Sequence, residues 1–313
     1  MEFGEQLPKP CYVNLHIGTG PSHCEETNGL ALIVKDGERF ALSDDIWVER
    51  LDEQLAKNVQ KACEPPNHNI DSAVNNRHLC AFVQLVPDVE TRRYEGLEKL
   101  HAVLALSRLI QPTSIGDRYC AQIFHYGLPN SAIYSIQYRG MSPDVFLSHR
   151  QRDWLTVDDG ERLRRLMPWL SKAKNMHQRV HRAYWYHEYV MRSSVLDIRL
   201  PLVTAGLEAL INSDKSDNKK QFCTRVPQIA KSCGVALSDT DVDSAWRLRS
   251  RLVHAEAFLY GLDTILPASE HLDLYEKLET VLRGTVRKCL FDETFGDRFR
   301  DKDAVDACWP LKP

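Results

Sequence analysis

The sequence predicts an α+β protein with an N-terminal mixed α/β domain that contains antiparallel hairpins, followed by a C-terminal all-α bundle. Its 313 residues are enough for two domains of ordinary size. Segments with the alternation of strands occupy only the first half, and helical periodicity alone follows them. The predicted domains are residues 1–145 and 150–300.

The N-terminal elements are predicted from alternation and turn signals. YVNLHI (12–17) alternates polar and apolar residues as a half-buried strand does, and HLCAFVQLV (78–86) predicts another strand. LALIVKDGERFAL (30–42) predicts a hairpin around its Asp-Gly pair, and a second hairpin is predicted within residues 118–139. Two helices are predicted, YEGLEKLHAVLALSRLI and DDIWVERLDEQLAKNVQKAC, the second from five apolar residues on one face, at positions 46, 51, 55, 59 and 63.

The helices of the second domain are predicted from caps and breakers. TVDD (156–159) and SDTD (238–241) are capping patterns that open two of them. A long helix runs through HRAYWYHEYVMRSSVLDIRL, and a further one begins at Pro201, because proline suits a first helical turn. KKQFCTRVPQIAKSCG stops at its final glycine, and its internal proline predicts a kink or a late start. EHLDLYEKLETVLRGTVRKCL is the last predicted helix, which completes a bundle.

Composition narrows the class of protein. The 43% hydrophobic and 27% charged residues are typical of a soluble globular protein, and no apolar run is long enough to cross a bilayer. The nine cysteines are scattered without a CxxC motif, so we expect reduced thiols and a cytoplasmic location. The net charge of −3 argues against nucleic-acid binding by the whole surface. Residues 161–200, with nine Lys and Arg against three acidic residues, are either a basic face for a polyanion or a solvated helix surface.

The stretch WRLRSRLVHAEAF (246–258) places an arginine where a helix should be apolar. At about 100° per residue, Arg247, Arg251 and His254 share one side of that helix. Arg249 falls among the apolar residues on the other side. A guanidinium there is costly unless a carboxylate or the polar surface of a second protomer faces it. We therefore expect Arg249 to have a specific partner.

The same stretch resembles the arginine–histidine motif of HEPN domains, in particular of the ApeA-like branch found in prokaryotic defence proteins. In that motif a histidine follows an arginine at the spacing of Arg249 and His254. LVTAGLEALI (202–211) is similar to the family's apolar helix that bears a glutamate, and KKQFCTR to the start of its next helix. The resemblance covers about residues 180–260. It implies a helical bundle that dimerises through the motif helices, with metal-independent ribonuclease activity.

The resemblance gives catalytic roles to three residues. Cleavage of RNA without a metal needs a base for the 2′-hydroxyl proton and a cation for the charge that builds on the phosphorane. His254 would be the base or the acid, Arg249 the phosphate clamp, and Glu208 the carboxylate that orients Arg249. Arg247 and Arg251 would bind the substrate RNA. The expected products are a 2′,3′-cyclic phosphate and a 5′-hydroxyl, and no metal or cofactor is expected.

The expected partners are RNA and a second copy of the chain. Arg249 and His254 lie about 140° apart on an ideal helix, so one helix cannot easily aim both at the same phosphate. Two copies packed about a two-fold axis can do so, which predicts a homodimer through this helix; a bent helix in a monomer is the alternative. The protein would act as a toxin or anti-phage effector, with residues 1–145 as its sensor or regulator.

Other interpretations stay open. The arginine–histidine spacing recurs at Arg182 and His187, where we expect packing, and once in a predicted strand. His177 and His181 lie one helical turn apart, but no carboxylate or cysteine accompanies them at the spacing of metal ligands. In the second functional hypothesis, the bundle is a non-catalytic dimerisation module or a nucleotide- or RNA-binding module.

Overall fold

The chain divides into two compact units, Met1–Leu170 and Ser171–Pro313. The first contains a small antiparallel sheet and the second is helical, which confirms the predicted mixed α+β class. The units divide later in the chain than the predicted boundary at residues 145–150. The computed structural model describes residues 12–19, 39–52, 54–55, 58, 80–86, 95–113, 116–126, 132–138, 152, 155–172, 176–193, 195–212, 217–254 and 258–311. Within these ranges no helix combines the length and hydropathy that a bilayer crossing requires.

The described strands of the first unit form one antiparallel sheet in the order β2-β3-β4-β1-β5-β6. Strand β1 lies inside the sheet, where Leu15 pairs with Val83 of β4 and Ala121 of β5. Val13 of β1 joins alternate residues of β4 and β5 in one apolar core cluster, as period-2 geometry requires. The strands are β1 Tyr12–Thr19, β2 Phe40–Ala41, β3 Ile46–Arg50, β4 Cys80–Val86, β5 Gly116–Phe124 and β6 Ala132–Tyr138.

Strand β3 contradicts the first part of the helix predicted over residues 44–63, whereas residues 54, 55 and 58 of the same stretch are helical. Ile46, Trp47, Val48 and Glu49 are all buried, so the strand is covered on both faces and lacks the usual alternation. Glu49 accepts hydrogen bonds from Trp47 Nε1 at 2.9 Å and from Tyr126 Oη, and burial raises the pKa of its carboxyl. Strands β1, β4 and the β5–β6 hairpin confirm their predictions, whereas the Asp-Gly turn at 36–37 lies outside the described residues.

Helices follow the sheet strands in the part of the first unit that the structure describes, besides the helical residues at 54, 55 and 58. Helix α1, Glu95–Ile110, confirms the helix predicted from YEGLEKLHAVLALSRLI and packs on β1 and β4. Helix α2, Val157–Leu166, packs on α1. Thr156 caps α2: its hydroxyl accepts from the Asp159 amide at 3.3 Å, and the Asp159 carboxylate accepts from the Thr156 amide at 2.9 Å. The capping box predicted from TVDD is thus confirmed. A short helix α3, Trp169–Lys172, follows.

The second unit is built around helix α5, which packs against α4, α6, α7 and α8. Its central position explains why polar Thr204 and Glu208 are buried beside leucines and valines. The long helices are α4 Gln178–Arg192, α5 Leu196–Ile211, α6 Asn218–Ser232, α7 Asp239–Val253 and α8 Ala268–Phe291, and the short ones are α9 Glu293–Gly296 and α10 Lys302–Cys308. Single 3₁₀ turns occupy Leu259–Gly261 and Asp297–Phe299.

Two helix boundaries differ from the prediction. The long helix through residues 181–200 is interrupted at Ser193, whose carbonyl accepts a hydrogen bond from Arg199 Nε at 2.5 Å. Helix α5 therefore starts at Leu196, and Pro201 lies inside it instead of opening it. Pro227 also lies inside its helix, so the late start predicted for α6 is wrong, although the predicted stop near the terminal glycine is confirmed.

Helices α5 and α8 approach closely at Gly206. A Cβ placed on this glycine would lie 2.7 Å from Cδ2 of Leu282 on α8 and 3.1 Å from Cβ of Tyr186 on α4. Real Cβ atoms do not tolerate the first distance, so a larger residue would displace the end of the Leu282 side chain. Gly206 is buried inside α5, and the missing side chain allows the neighbouring helices to pack closely there.

A buried arginine joins the end of the chain to the bundle. Arg225 on α6 is 1% exposed, and its guanidinium donates to the carbonyls of Ile211 at 2.6 Å and Trp309 at 2.9 Å. It also donates to Gln221 Oε1 at 2.9 Å and forms an ion pair with Asp306 of α10. One side chain therefore satisfies acceptors on three helices and on the segment after α10.

Replacement of this arginine should destabilise the second unit. Arg225→Met would leave the two carbonyls and the Asp306 carboxylate without their donor, so we expect the free energy of unfolding to fall by about 3 kcal/mol or more. Urea titration of the full chain, followed by circular dichroism, measures the change. Arg300→Met is the control, because Arg300 pairs with Asp301 on the surface, and its unfolding midpoint should match that of the wild type. Equal unfolding midpoints for Arg225→Met and Arg300→Met would mean that the contacts of Arg225 do not stabilise the second unit.

Candidate functional site on helix α7

Helix α7 carries the arginine–histidine stretch and starts at a strong cap. The Ser238 hydroxyl accepts from the Asp241 amide at 3.0 Å, and the Asp241 carboxylate accepts from the Ser238 amide at 2.9 Å, as SDTD predicts. Burial raises the pKa of Asp241, but hydrogen bonds from Ser238 and Lys277 outweigh it and leave this pKa below its usual range. Val242, Ala245 and Leu248 are buried, which fixes the side of α7 that faces the bundle.

The expected partner of Arg249 is Glu208 on α5. Nη2 of Arg249 donates to Oε2 of Glu208 at 3.0 Å, and their side chains are 26% and 10% exposed. The guanidinium also lies over the ring of Trp246, with Cζ 5.4 Å from the ring centroid. The arginine on the apolar side of α7 is thus neutralised by a carboxylate on the central helix and covered by an aromatic ring.

Burial and the charge of Arg249 have opposite effects on the pKa of Glu208. Burial raises the pKa of Glu208, and the charge of Arg249 and its hydrogen bond offset part of that rise. Within the described ranges, Glu208 is the only hydrogen-bond acceptor seen for the Arg249 side chain, and its Nε is buried without one. A guanidinium has five N–H donors, so this one keeps capacity for a further anionic acceptor.

His254 lies apart from this pair. It is the C-terminal cap of α7, its amide donates to the Ser250 carbonyl at 3.1 Å, and its side chain is exposed. Its imidazole makes no hydrogen bond with any residue that the structure describes, Arg249 and Glu208 included. One chain therefore brings Arg249 and Glu208 together and leaves His254 at the exposed end of the same helix.

Arg247 and Arg251 line a cavity of about 370 Å³ on another side of α7. Asp243, one turn before Arg247, lies 3.8 Å from its guanidinium and 2.8 Å from Nζ of Lys219. The lining residues are Lys219, Trp246, Arg247, Ser250, Arg251, Leu262, Thr264 and Ile265. Sequence analysis predicted the two arginines but missed Lys219 and Trp246. The sequence signal for an aromatic group at this site was Trp246, which directly precedes Arg247.

The remaining histidine candidates have other partners. His177 Nε2 lies 2.9 Å from a carboxylate oxygen of Asp297, and His181 Nε2 accepts from Trp185 Nε1 at 3.0 Å. His187 is 1% exposed and lies 2.9 Å from Glu279, which agrees with the packing role expected for it. In the part of the chain that the structure describes, no three His, Cys, Asp or Glu side chains cluster as a metal site requires.

The basic segment 161–200 belongs to two units, because they divide after Leu170. Several of its arginines bind groups of the protein itself. Arg164 donates to the Ala41 carbonyl at 2.7 Å, and Arg192 pairs with Glu188 at 2.7 Å. The segment is therefore better described as helix surface with internal contacts than as one basic face.

Comparisons with known proteins identify no relative of this chain. No family model, no curated protein and no solved structure matches this chain. The resemblance to HEPN domains therefore depends on the quoted residues alone.

Two substitutions of Glu208 should separate the contribution of its charge to stability from the contribution of its shape. Glu208→Ala leaves Arg249 unpaired in a partly buried site, so we expect a loss of about 3 kcal/mol in the free energy of unfolding. Glu208→Gln should cost less, because the amide oxygen still accepts a hydrogen bond and burial already disfavours the charged carboxylate. Denaturant titration measures both values.

Arg247→Ala is the control for Glu208→Ala, since Arg247 makes a long, exposed pair with Asp243. Its free energy of unfolding should change by less than about 1 kcal/mol. Wild-type stability in both Glu208 variants would mean that the ion pair does not hold α5 and α7 together.

Proposed function

We propose that the second unit is a HEPN-like bundle and that the protein is a metal-independent endoribonuclease. The observation that carries this proposal is the placement of Arg249, a guanidinium held by buried Glu208 five residues before exposed His254 at the end of one helix. This arrangement supplies an oriented cation with spare N–H donors and a histidine that is open to solvent.

The proposed reaction uses these groups without a metal. His254 accepts the proton of a ribose 2′-hydroxyl, and the 2′-oxygen attacks the adjacent phosphorus. Arg249 stabilises the charge on the phosphorane, and Glu208 keeps the guanidinium in position. The bond from phosphorus to the 5′-oxygen breaks, and a protonated histidine gives that oxygen its proton. The products are a 2′,3′-cyclic phosphate and a 5′-hydroxyl.

A homodimer would place both groups at one phosphate. The Arg249–Glu208 contact points the guanidinium to α5, whereas His254 is exposed at the end of α7. Large apolar side chains are exposed near this end, Val253 on α7 and the stacked rings of Phe258 and Tyr260, 5.7 Å apart. Exposed apolar side chains beside a polar site are typical of an interface. These features support a two-fold pairing through α7.

The role in the cell follows from the resemblance. We propose a toxin or anti-phage effector whose first unit senses the trigger or restrains the nuclease. Expression of the wild type in a bacterial host should then slow growth, and expression of His254→Ala should not.

Cleavage by purified full-length protein tests the catalytic assignment. Arg249→Ala and His254→Ala should each lower the rate of RNA cleavage by at least about 100-fold, since each removes a group that acts in the transition state. His177→Ala is the matched control, because this histidine contacts Asp297 away from α7 and its loss should leave the rate unchanged. The products should carry cyclic phosphate ends, and excess EDTA should not stop the reaction.

Two results would overturn the catalytic assignment. One is wild-type cleavage by folded His254→Ala, with circular dichroism as the check on folding. The other is activity that EDTA abolishes and a divalent ion restores.

Complementation tests the shared site. Arg249→Ala and His254→Ala chains are each inactive, but a mixed dimer joins the arginine of one copy to the histidine of the other. After subunit exchange, about a quarter of the wild-type activity should return, because half of the dimers are mixed and each has one intact site. Mixing either variant with itself is the control. An inactive mixture, or a wild-type monomer that stays fully active at nanomolar concentration, would exclude a shared site.

The second candidate is a non-catalytic dimerisation module or a nucleotide- or RNA-binding module. The cavity beside Arg247 and Arg251 favours it, because basic and aromatic side chains surround a space that does not include His254. Binding of RNA without any cleavage by the wild type would select this function over the nuclease.

A further inference from the structure

The cavity on α7 combines cationic, hydroxyl and aromatic groups around one space. Lys219, Arg247 and Arg251 supply positive charge, Ser250 and Thr264 supply hydroxyl groups, and the remaining lining residues are Trp246, Leu262 and Ile265. Its volume of about 370 Å³ falls in the range of roughly 300–1,000 Å³ that is typical of small-molecule sites. Charged and hydroxyl-bearing side chains make up most of its lining, which favours a charged, polar ligand over an apolar one.

The charge of the cavity favours an anion. Three cations line it, and Asp243 is the carboxylate that contacts two of them, at 2.8 Å from Lys219 and 3.8 Å from Arg247. The hydrogen bond and charge of Asp243 raise the pKa of Lys219, so this lysine stays protonated at neutral pH. Lys219 also belongs to the first turn of α6, whose N-cap Asp217 makes no side-chain cap, and a helix N-terminus adds positive potential.

The donor types favour phosphate. Arginine forks bind phosphate oxygens through two N–H groups, and a lysine adds a point charge. The hydroxyl groups of Ser250 and Thr264 donate to the same class of acceptor. A carboxylate ligand would use one such fork, whereas a phosphate has enough oxygens for three cations.

Trp246 adds the surface that a flat ring requires. Its indole lines the cavity, packs against Phe222 at 5.6 Å between ring centroids, and lies under the guanidinium of Arg249. These contacts hold the indole in place, so that it can present a preformed aromatic wall. Base–aromatic contacts of this kind contribute about 1–3 kcal/mol for each base in single-stranded nucleic-acid binding.

We infer that this cavity binds a ribonucleoside phosphate, with the phosphate among Lys219, Arg247 and Arg251 and the base beside Trp246. The ligand is either a free nucleotide or one nucleotide of an RNA strand. In the second case the strand reaches the cavity from the scissile phosphate, an arrangement that rests on the proposed nuclease function. Trp246 touches both the cavity and Arg249, so it would join the nucleotide subsite to the catalytic arginine.

Calorimetric titration of full-length His254→Ala tests the inference without cleavage. The probes are adenosine 5′-monophosphate, adenosine, inorganic phosphate and a six-residue oligoadenylate. The monophosphate should bind in a saturable way and at least about fivefold more tightly than adenosine or phosphate alone, because each of these lacks one half of the contacts. Tighter binding of the oligoadenylate than of the monophosphate identifies an RNA strand as the source, and equal binding identifies a free nucleotide.

Variants of the cavity provide the second measurement. In the His254→Ala background, Arg251→Ala should weaken monophosphate binding at least about fivefold, since this exposed arginine contacts the phosphate. Trp246→Leu should weaken binding of the monophosphate and leave binding of inorganic phosphate unchanged. Arg300→Ala is the control, because its side chain lies on the surface beside Asp301, and its affinity should not change.

The outcomes separate this inference from the proposed function. If the wild type cleaves RNA but no nucleotide binds, or Arg251→Ala binds as well as its parent, the cavity is not a nucleotide site and the nuclease assignment stands. If the monophosphate binds through Arg251 and Trp246 but the wild type cleaves no RNA, the nucleotide site stands and the nuclease assignment fails.

Discussion

A buried carboxylate on the central helix of the second unit requires a cation beside it, and this requirement helps to determine how α7 packs. Glu208 lies on α5 among apolar neighbours, and burial opposes its charge. A cation from another helix has to approach it, and Arg249 of α7 does so at 3.0 Å. Together with the burial of Val242, Ala245 and Leu248, this contact orients α7 about its axis. Because residues two positions from Arg249 point about 200° away on an ideal helix, Arg247 and Arg251 are turned outward to line the cavity.

The fold could be predicted where the sequence carries a local signal. Residues 12–17 alternate between polar and apolar types, and Thr156 and Ser238 mark the starts of helices α2 and α7 through their capping boxes. Strand β4 was also predicted, although its residues are buried on both faces. Prediction failed where the apolar spacing fits two structures or a tertiary contact decides. The residues of β3 are buried in a continuous run, so their spacing matched a helix as well as a strand. At the break after Arg192, the Ser193 carbonyl accepts a hydrogen bond from Arg199, a contact that local propensity does not encode.

For the site, the sequence alone predicted residues on α7 and one expected neighbour, Glu208 on α5. Arg249 stood out because a charge on an apolar stripe needs a partner, and the resemblance pointed to Glu208. The cavity could not be predicted in the same way. Lys219 comes from α6 and Thr264 from the segment after the 3₁₀ turn, and only the packing of these elements brings them to Arg247. Distances between segments far apart in sequence are set by the bundle, and no periodicity records them.

The absence of a side chain at Gly206 lets three helices meet beside the charged pair. The side chain of Leu282 on α8 and Cβ of Tyr186 on α4 both lie against α5 at this point, two residues before Glu208. A methyl group at residue 206 would displace the end of the Leu282 side chain, which can rotate, and would press on Cβ of Tyr186, which cannot rotate away. The segment of α5 that presents its carboxylate to Arg249 is therefore seated by apolar neighbours on two other helices. A residue without chemistry of its own thus contributes to where the charged pair lies.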